Sequence, residues 1–211
     1  MIASIGRAYV TVYRKLRVGI FFSGNELVQP GEPLPPGGIY NSNRFMMRSL
    51  LVTLGFEAID LGSIPDSLEA TVSAFERACE SADVIVTTGG MSVGEEDHIK
   101  PAVERLGRID VWRVSLKPGK PLAFGEVKGI PFIGLPGNPV SGFVVFLMIA
   151  RPYLLRRSGL VNVDMRAQHV RADFTWEKAG DREEFVRVRR NDDGGVGPLP
   201  NAEFAGAFSC A

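Results

Sequence analysis

Residues 87–100 read Thr87-Thr88-Gly89-Gly90-Met91-Ser92-Val93-Gly94-Glu95-Glu96-Asp97-His98-Ile99-Lys100. The backbone amides and small hydroxyls of such a glycine-rich loop bind anions, and Glu95, Glu96 and Asp97 bring carboxylates to the same place. An anion and a carboxylate tolerate each other best with a cation between them. The stretch therefore points to a phosphate-bearing ligand held together with a divalent metal. Two further loops repeat the theme. Lys117-Pro118-Gly119-Lys120-Pro121 sets two cations in a stiff loop. Gly134-Leu135-Pro136-Gly137-Asn138-Pro139-Val140-Ser141 ends the apolar run from Ile130 to Ile133 and opens a helix, with Asn138 suited to its N-cap and Pro139 to its first position.

These loops need elements to hold them. Short apolar strands are expected at Arg17 to Phe22, Glu57 to Gly62, Asp83 to Thr87, Ile109 to Ser115, Leu122 to Gly125 and Ile130 to Leu135. Between Ser23 and Gly38 lies a long loop with Pro30, Pro33, Pro35 and Pro36, and loops of that length are usually functional or mobile. Asn41 or Ser42 can cap a helix to about Leu54, which Gly55 ends. Asp66-Ser67-Leu68-Glu69 reads as a capping arrangement with the acid at the cap, and Leu68, Val72, Phe75 and Cys79 then share one helix face. Further helices are expected from about Asp97 to Leu106 and from Pro139 toward Arg157, with a kink at Pro152.

Strands alternating with helices imply a mainly parallel sheet covered on both faces, an α/β three-layer fold with its ligand at the carboxyl ends of the strands. Ser23, Thr88 and Pro136 fall there. From Leu160 the pattern changes: Arg166 to Phe174 and Glu184 to Arg190 alternate in the β manner around a turn at Asp192-Asp193-Gly194-Gly195. Residues 1–16 hold one β-prone run, Tyr9 to Tyr13, and read as a connecting arm or strand. The expected division is thus residues 1–16, 17–159 and 160–211.

Composition narrows the function classes. Apolar residues make up 45% of the 211, and 24 basic side chains balance 24 acidic ones, so no nucleic-acid surface is advertised. The longest apolar run, Phe143 to Ala150, is too short to span a bilayer. No secretory signal is visible, and two cysteines, Cys79 and Cys210, build neither a disulfide framework nor a zinc site. A reducing cytoplasm is the compartment these features suggest. His98 and His169 are too separated for a metal cluster.

The motifs TTGGMSVGEEDHIK, LKPGKPLAFG and GLPGNPVS resemble the signature loops of the molybdopterin molybdenumtransferases, the family of MoeA and the gephyrin E domain. Ser23-Gly24-Asn25-Glu26-Leu27 and Gly38-Ile39-Tyr40-Asn41-Ser42-Asn43 resemble two more family segments, and the ordered similarity runs from about Arg17 to about Gly159. The resemblance implies a MogA-like molybdopterin-binding domain followed by part of an all-β C-terminal barrel. It also implies molybdenum cofactor biosynthesis: adenylylated molybdopterin and molybdate as substrates, Mg²⁺ or another divalent metal, a homodimer, and a MogA-type adenylyltransferase as partner.

By the same resemblance Asp97 is the metal carboxylate, against its reading as an ordinary helix cap. Asp66 matches a family acid, against its own reading as a cap. Arg113, Lys117 and Lys120 would hold anionic groups. Ser23, Gly24, Asn25, Glu26, Thr88, Gly89, Gly90, Ser92, Gly94, Pro136, Gly137, Asn138, Pro139 and Ser141 would line the substrate site. Many bacterial relatives have Asp where this chain has Asn25 and Asn41, and Asn is a weaker ligand and no base. Family members also carry two domains ahead of this one that complete the active site across the dimer, so the chain alone is expected to bind ligand better than it catalyses. The rival readings are an adenylyltransferase of the MogA type and a non-catalytic binding or scaffold module.

Overall fold

The computed structural model describes residues 2–91, 97–176 and 180–199. From Arg17 the chain forms β1 (Arg17–Ser23), the short β2 (Leu27–Val28) and β3 (Ile39–Tyr40), α1 (Ser42–Thr53), β4 (Glu57–Ile64), α2 (Leu68–Ser81), β5 (Val84–Thr88) and α3 (Ile99–Leu106). Next come β6 (Gly107–Trp112), β7 (Leu116–Lys117), β8 (Ala123–Val127), β9 (Ile130–Leu135), α4 (Pro139–Val145), a π-helical turn (Phe146–Ala150) and α5 (Arg151–Arg157). Three short strands follow: β10 (Glu183–Glu184), β11 (Val188–Arg190) and β12 (Val196–Pro198).

Six strands form one sheet in the order β4-β1-β5-β9-β8-β6. The first four run parallel, and β8 runs antiparallel to both of its neighbours. The period of two along each strand sorts its side chains to opposite faces. Val18, Ile20 and Phe22 of β1 join Val84 and Val86 of β5 in a core with Met47 and Leu51 of α1 and Val145, Phe146 and Leu154 of the last helix. Phe21 and Ile85 point the other way, onto Phe75 of α2 and Ile99 and Val103 of α3. There Phe21, Phe75 and Phe132 meet edge to face, with centroids 5.0 and 5.1 Å apart.

The topology fixes where a ligand belongs. From β1 the chain passes through α1 to β4 on one side, then through α2 to β5 on the other. The sheet therefore changes direction between β1 and β5, and the crevice outside their carboxyl ends is the binding position in open α/β sheets.

Several sequence expectations shift. The cap of α2 is Ser67, whose hydroxyl accepts from the Ala70 amide, while Asp66 is engaged elsewhere. The buried face of that helix is Thr71, Ala74, Phe75 and Ala78, so Leu68, Val72 and Cys79 sit at its margin. Helix α3 starts at Ile99 and runs directly into β6, which ends at Trp112. The helical stretch Pro139–Arg157 is 19 residues and is long and apolar enough to cross a membrane by length and composition. Its Val145, Phe146, Ala150, Leu154 and Leu155 pack on the sheet, as those of a core helix do. The π-helical turn precedes Pro152, which has no N–H to give a regular helix.

Tyr9 to Tyr13 forms no strand, because no neighbouring edge pairs with it; Tyr9 stays 92% exposed. Arg14 nearby is tied down by a two-pronged bond to Asp83, at 2.6 and 2.7 Å, which holds that carboxyl well below the usual range. Of the expected β segments after Leu160, Arg166 to Phe174 contributes only a bridge from Ala172 to Val196, and Glu184 to Arg190 splits into two short pieces. The turn at Asp192 to Gly195 is present, with Gly194 at φ +77°.

Candidate functional site

At the carboxyl ends of β1, β5 and β9 lies an open cleft of about 1030 Å³. Its walls come from the loops at these strand ends. Ser23, Gly24 and Glu26 follow β1, Thr88, Gly89 and Gly90 end β5, and Pro136 to Pro139 with Ser141 lead from β9 into α4. Asp66 and Asp97 also line it. The structure thus brings together most of the residues singled out from the sequence. Ser92 and Gly94, with Glu95 and Glu96, lie outside the described residues. Asn25, Arg113, Lys117 and Lys120 are described but are not part of the lining.

Two glycines let the loops close on each other. At Gly89 (φ +89°) an added Cβ would stand 2.3 Å from the backbone carbonyl oxygen of Ser23. At Gly90 (φ +61°) it would meet the Ile99 side chain at 2.8 Å. Both conformations disfavour side chains, and at Gly89 the obstacle is main chain that cannot swing away.

Asp66 is a clip between loops. Its two oxygens accept from the Ser23 hydroxyl and from the Asn25 amide, the latter at 3.0 Å, while its own amide donates to Asn25 Oδ1 at 3.1 Å. Asn25 is thereby explained as half of a reciprocal pair with Asp66, and its neutral amide avoids setting a second carboxylate beside that acid. Asn138 caps α4, accepting from the Val140 and Ser141 amides at 3.0 and 3.2 Å. Its oxygen therefore serves the helix.

The surroundings of Asp97 disfavour its charged form. Burial pushes its carboxyl up to about 6, although the Ile99 and Lys100 amides partly offset this. The half-buried carboxylate is desolvated, and the charges of His98 and Lys100 offset this only in part; a bound metal would relieve the rest. Glu26, Asp66 and Asp97 are the charged residues of the described lining, which contains no Lys or Arg. No cluster of three potential metal-binding side chains occurs among the described residues. That donor set fits Mg²⁺, which takes one or two carboxylates and completes its shell with phosphate oxygens and water. Asp97 offers a carboxylate with oxygen lone pairs to spare, and Asp66 retains some beyond its two hydrogen bonds.

The loop that carries Lys117 and Lys120 reaches the cleft at Pro121. Gly119 packs where an added Cβ would stand 2.4 Å from Val145 Cγ2, so the loop leans on the helix that forms one wall, and Pro121 reaches the lining. Lys117 pairs with Glu184 at 2.8 Å in the contact between β7 and β10. Lys120 is exposed and forms no ion pair among the described residues. Arg113 is exposed and holds φ at +118°, a strained backbone for a side chain of its kind, with its amide bonded to the Leu122 carbonyl at 2.8 Å.

Residues not picked out as site candidates complete the cleft. Leu27, Leu34, Ile39, Tyr40 and Met91 add apolar surface to the lining, and Asn41, Ser42 and Asn43 supply polar groups at the start of α1. Burial of two polar residues there, Asn41 at 1% exposure and Asn43 at 7%, is the unusual feature. The run Gly38 to Asn43 carried the signal, but Asn41 explains itself as a cap, which it is, accepting from the Arg44 amide.

Residues 19–156 match a family described as "Probable molybdopterin binding domain". Over 159 residues the chain is 45% identical to a molybdopterin molybdenumtransferase of Haemophilus influenzae, a match covering 75% of this chain and 39% of that protein. It is 38% identical over 160 residues to the molybdenum cofactor synthesis protein cinnamon of Drosophila melanogaster, covering 75% of this chain and 26% of that one. A crystal structure of the molybdopterin biosynthesis MoeA protein from Pyrococcus horikosii superposes with a TM-score of 0.78 at 30% identity, over 96% of this chain and 49% of the other. The chain spans less than half the length of each of these relatives. With well over half of its residues inside the matched bounds and the cleft within them, the chain belongs to the molybdopterin-binding domain family.

Proposed function

We propose that the cleft binds molybdopterin, in its adenylylated form, for insertion of molybdate during molybdenum cofactor biosynthesis. One observation carries this reading: the described lining combines apolar residues, a glycine loop at a strand end and three acids without a basic residue. An anionic ligand would enter such a site in company with a cation. Asp97, with Asp66 beside the Ser23 loop, would hold Mg²⁺. When bound, the metal would neutralise the phosphate and molybdate charges that otherwise repel each other. The chain's own work is positional. The Gly89 and Gly90 loop presents backbone, Asp66 fixes the Ser23 and Asn25 segment, and Leu34, Ile39 and Tyr40 shield one side of the ring from water. Lys117, Lys120 and Arg113 would draw the anionic ligand from the rim.

We place this chemistry in the cytoplasm, in a homodimer that receives its substrate from a MogA-type adenylyltransferase. Cofactor formation assayed with the 211-residue chain separates this reading from a pure binding module. Little or no insertion is expected from the chain alone, with recovery when the remaining length of a longer relative is supplied. Robust turnover by the chain alone would mean that the described loops form a complete site. AMP transfer to molybdopterin in the same assay would instead favour the adenylyltransferase reading.

The rim cations give a second check. Lys117→Ala and Lys120→Ala should each weaken binding of the phosphorylated ligand by about twofold to fivefold, and added salt should weaken binding to the unaltered chain. An affinity that ignores salt and survives loss of both lysines would reduce them to solvated loop charges.

A further inference from the structure

Between β1 and α1 the chain makes a lobe whose tip, residues 30–37, is exposed throughout. At its feet the Ile39 amide donates to the Glu26 carbonyl at 2.8 Å and the Asn41 amide to the Val28 carbonyl at 2.9 Å. Leu34, Ile39 and Tyr40 of this lobe line the cleft, yet they belong to neither hydrophobic core and stay 47%, 39% and 46% exposed. Leu27 packs against the core at one foot, and polar ties hold the rest. Arg44, in the first turn of α1, donates from Nε to Asp60 Oδ2 of β4 and from Nη1 to Gln29 Oε1 of the lobe, both at 2.8 Å. Gln29 in turn donates to Ser63 Oγ at 3.1 Å, which also accepts from Asn41 Nδ2 at 2.9 Å. Asp60 is steadied by the Gly62 amide at 3.0 Å. Helix α1 does not need these ties, because Met47 and Leu51 already fix it in the core. The lobe does, since a pair of two-residue strands with little buried apolar area is not stable by itself.

We propose that Arg44 is a positioning residue for the cleft: by gripping Gln29 it fixes the lobe, so that Leu34, Ile39 and Tyr40 are in place before the ligand arrives. The inference rests on the reading of the cleft as the molybdopterin site. The three apolar side chains lack core partners, so a ligand in the cleft is what would cover them. Ordering the lobe during binding would cost affinity, and a lobe already tied down avoids that cost. Arginine suits the task because its guanidinium offers two nitrogens to two acceptors on different elements, whereas a lysine ammonium has one. Arg44→Lys would keep a charge for Asp60 and release Gln29.

The test is calorimetric titration with molybdopterin in Mg²⁺, joined to amide exchange on the free and bound chain, for Arg44→Lys, Gln29→Ala and the double variant. Each single change should weaken binding about fivefold to fiftyfold, and the double variant should lose no more, because both cut the same tie. Melting temperatures should move by no more than about 4 °C. In the free variants the Ile39 and Asn41 amides should exchange faster than in the unaltered chain, and ligand should restore their protection. Gln29→Ala leaves the pair of Arg44 and Asp60 untouched, so the test stands even if Arg44→Lys folds poorly. A lower melting temperature with unchanged affinity would make the network a structural knot, which overturns the role of Arg44 and leaves the cleft assignment intact. Unchanged affinity with unchanged exchange overturns it as well. Failure of the unaltered chain to bind molybdopterin overturns both.

Discussion

Replacing Asp97 by asparagine should make the folded chain more stable at neutral pH and less able to hold its ligand. The carboxyl titrates at about 6 in the fold, against 3.8 for the free group, because burial disfavours its charged form. Below the unfolded value both states carry the proton and the group contributes nothing. As pH rises from about 4 to about 6 the folded state binds more protons than the unfolded one, so stability falls through that window and the loss is complete above it. Asp97 is only half-buried, so solvent screening reduces the penalty to on the order of 1 kcal/mol. Asparagine keeps an oxygen to accept from the Ile99 amide and removes the charge. Urea unfolding should therefore show a gain near zero at pH 4 growing to about 1 kcal/mol at pH 7. Metal-supported ligand affinity should fall by about a hundredfold or more, since even outer-shell partners of a metal are worth tenfold to a hundredfold. Equal stability at both pH values with unchanged Mg²⁺ dependence would make Asp97 an ordinary loop acid.

The glycine pair should separate fold from binding. Gly89→Ala drives a methyl into the Ser23 carbonyl from a left-handed backbone, and the obstacle is main chain. It should cost about 2–4 kcal/mol, summing the conformational penalty and the displacement of β5 from β1. Gly90→Val sets a Cβ 2.8 Å from Cγ1 of the buried Ile99, a side-chain atom and not main chain, so Ile99 must shift and the fold should survive with a loss of about 1–3 kcal/mol. Its branched side chain stands on the cleft lining, and ligand binding should drop below detection. Circular dichroism melts and calorimetry on both variants check the division. Unchanged affinity in folded Gly90→Val would remove the ligand from this loop.

What could be read in advance follows the range of the forces involved. Local chemistry was visible: Asn41 and Asn138 cap the helices they precede, and the apolar run before Gly89 is a buried strand. Long-range partners were not. Asp66 looks like a helix cap beside Ser67, and only Ser23 and Asn25, some forty residues away in the chain, decide that it clips loops instead. Lys117 reads as a free cation, yet Glu184 claims it across a strand contact that no local pattern announces. Asn43 was hidden because the groups it joins, Thr88 and the Gly137 carbonyl, lie 45 and 94 residues away in the chain. Tyr9 to Tyr13 has the composition of a strand but no edge to join.

The central claim is that this cleft takes up molybdopterin with a divalent cation at Asp97. Calorimetric titration of the chain with molybdopterin, in Mg²⁺ and again in a chelator, tests it most directly. The account predicts one saturable site per chain that weakens strongly in the chelator, and that in Asp97→Asn is weak whether or not Mg²⁺ is present. No saturable binding in Mg²⁺, or binding of equal strength under all these conditions, would contradict it.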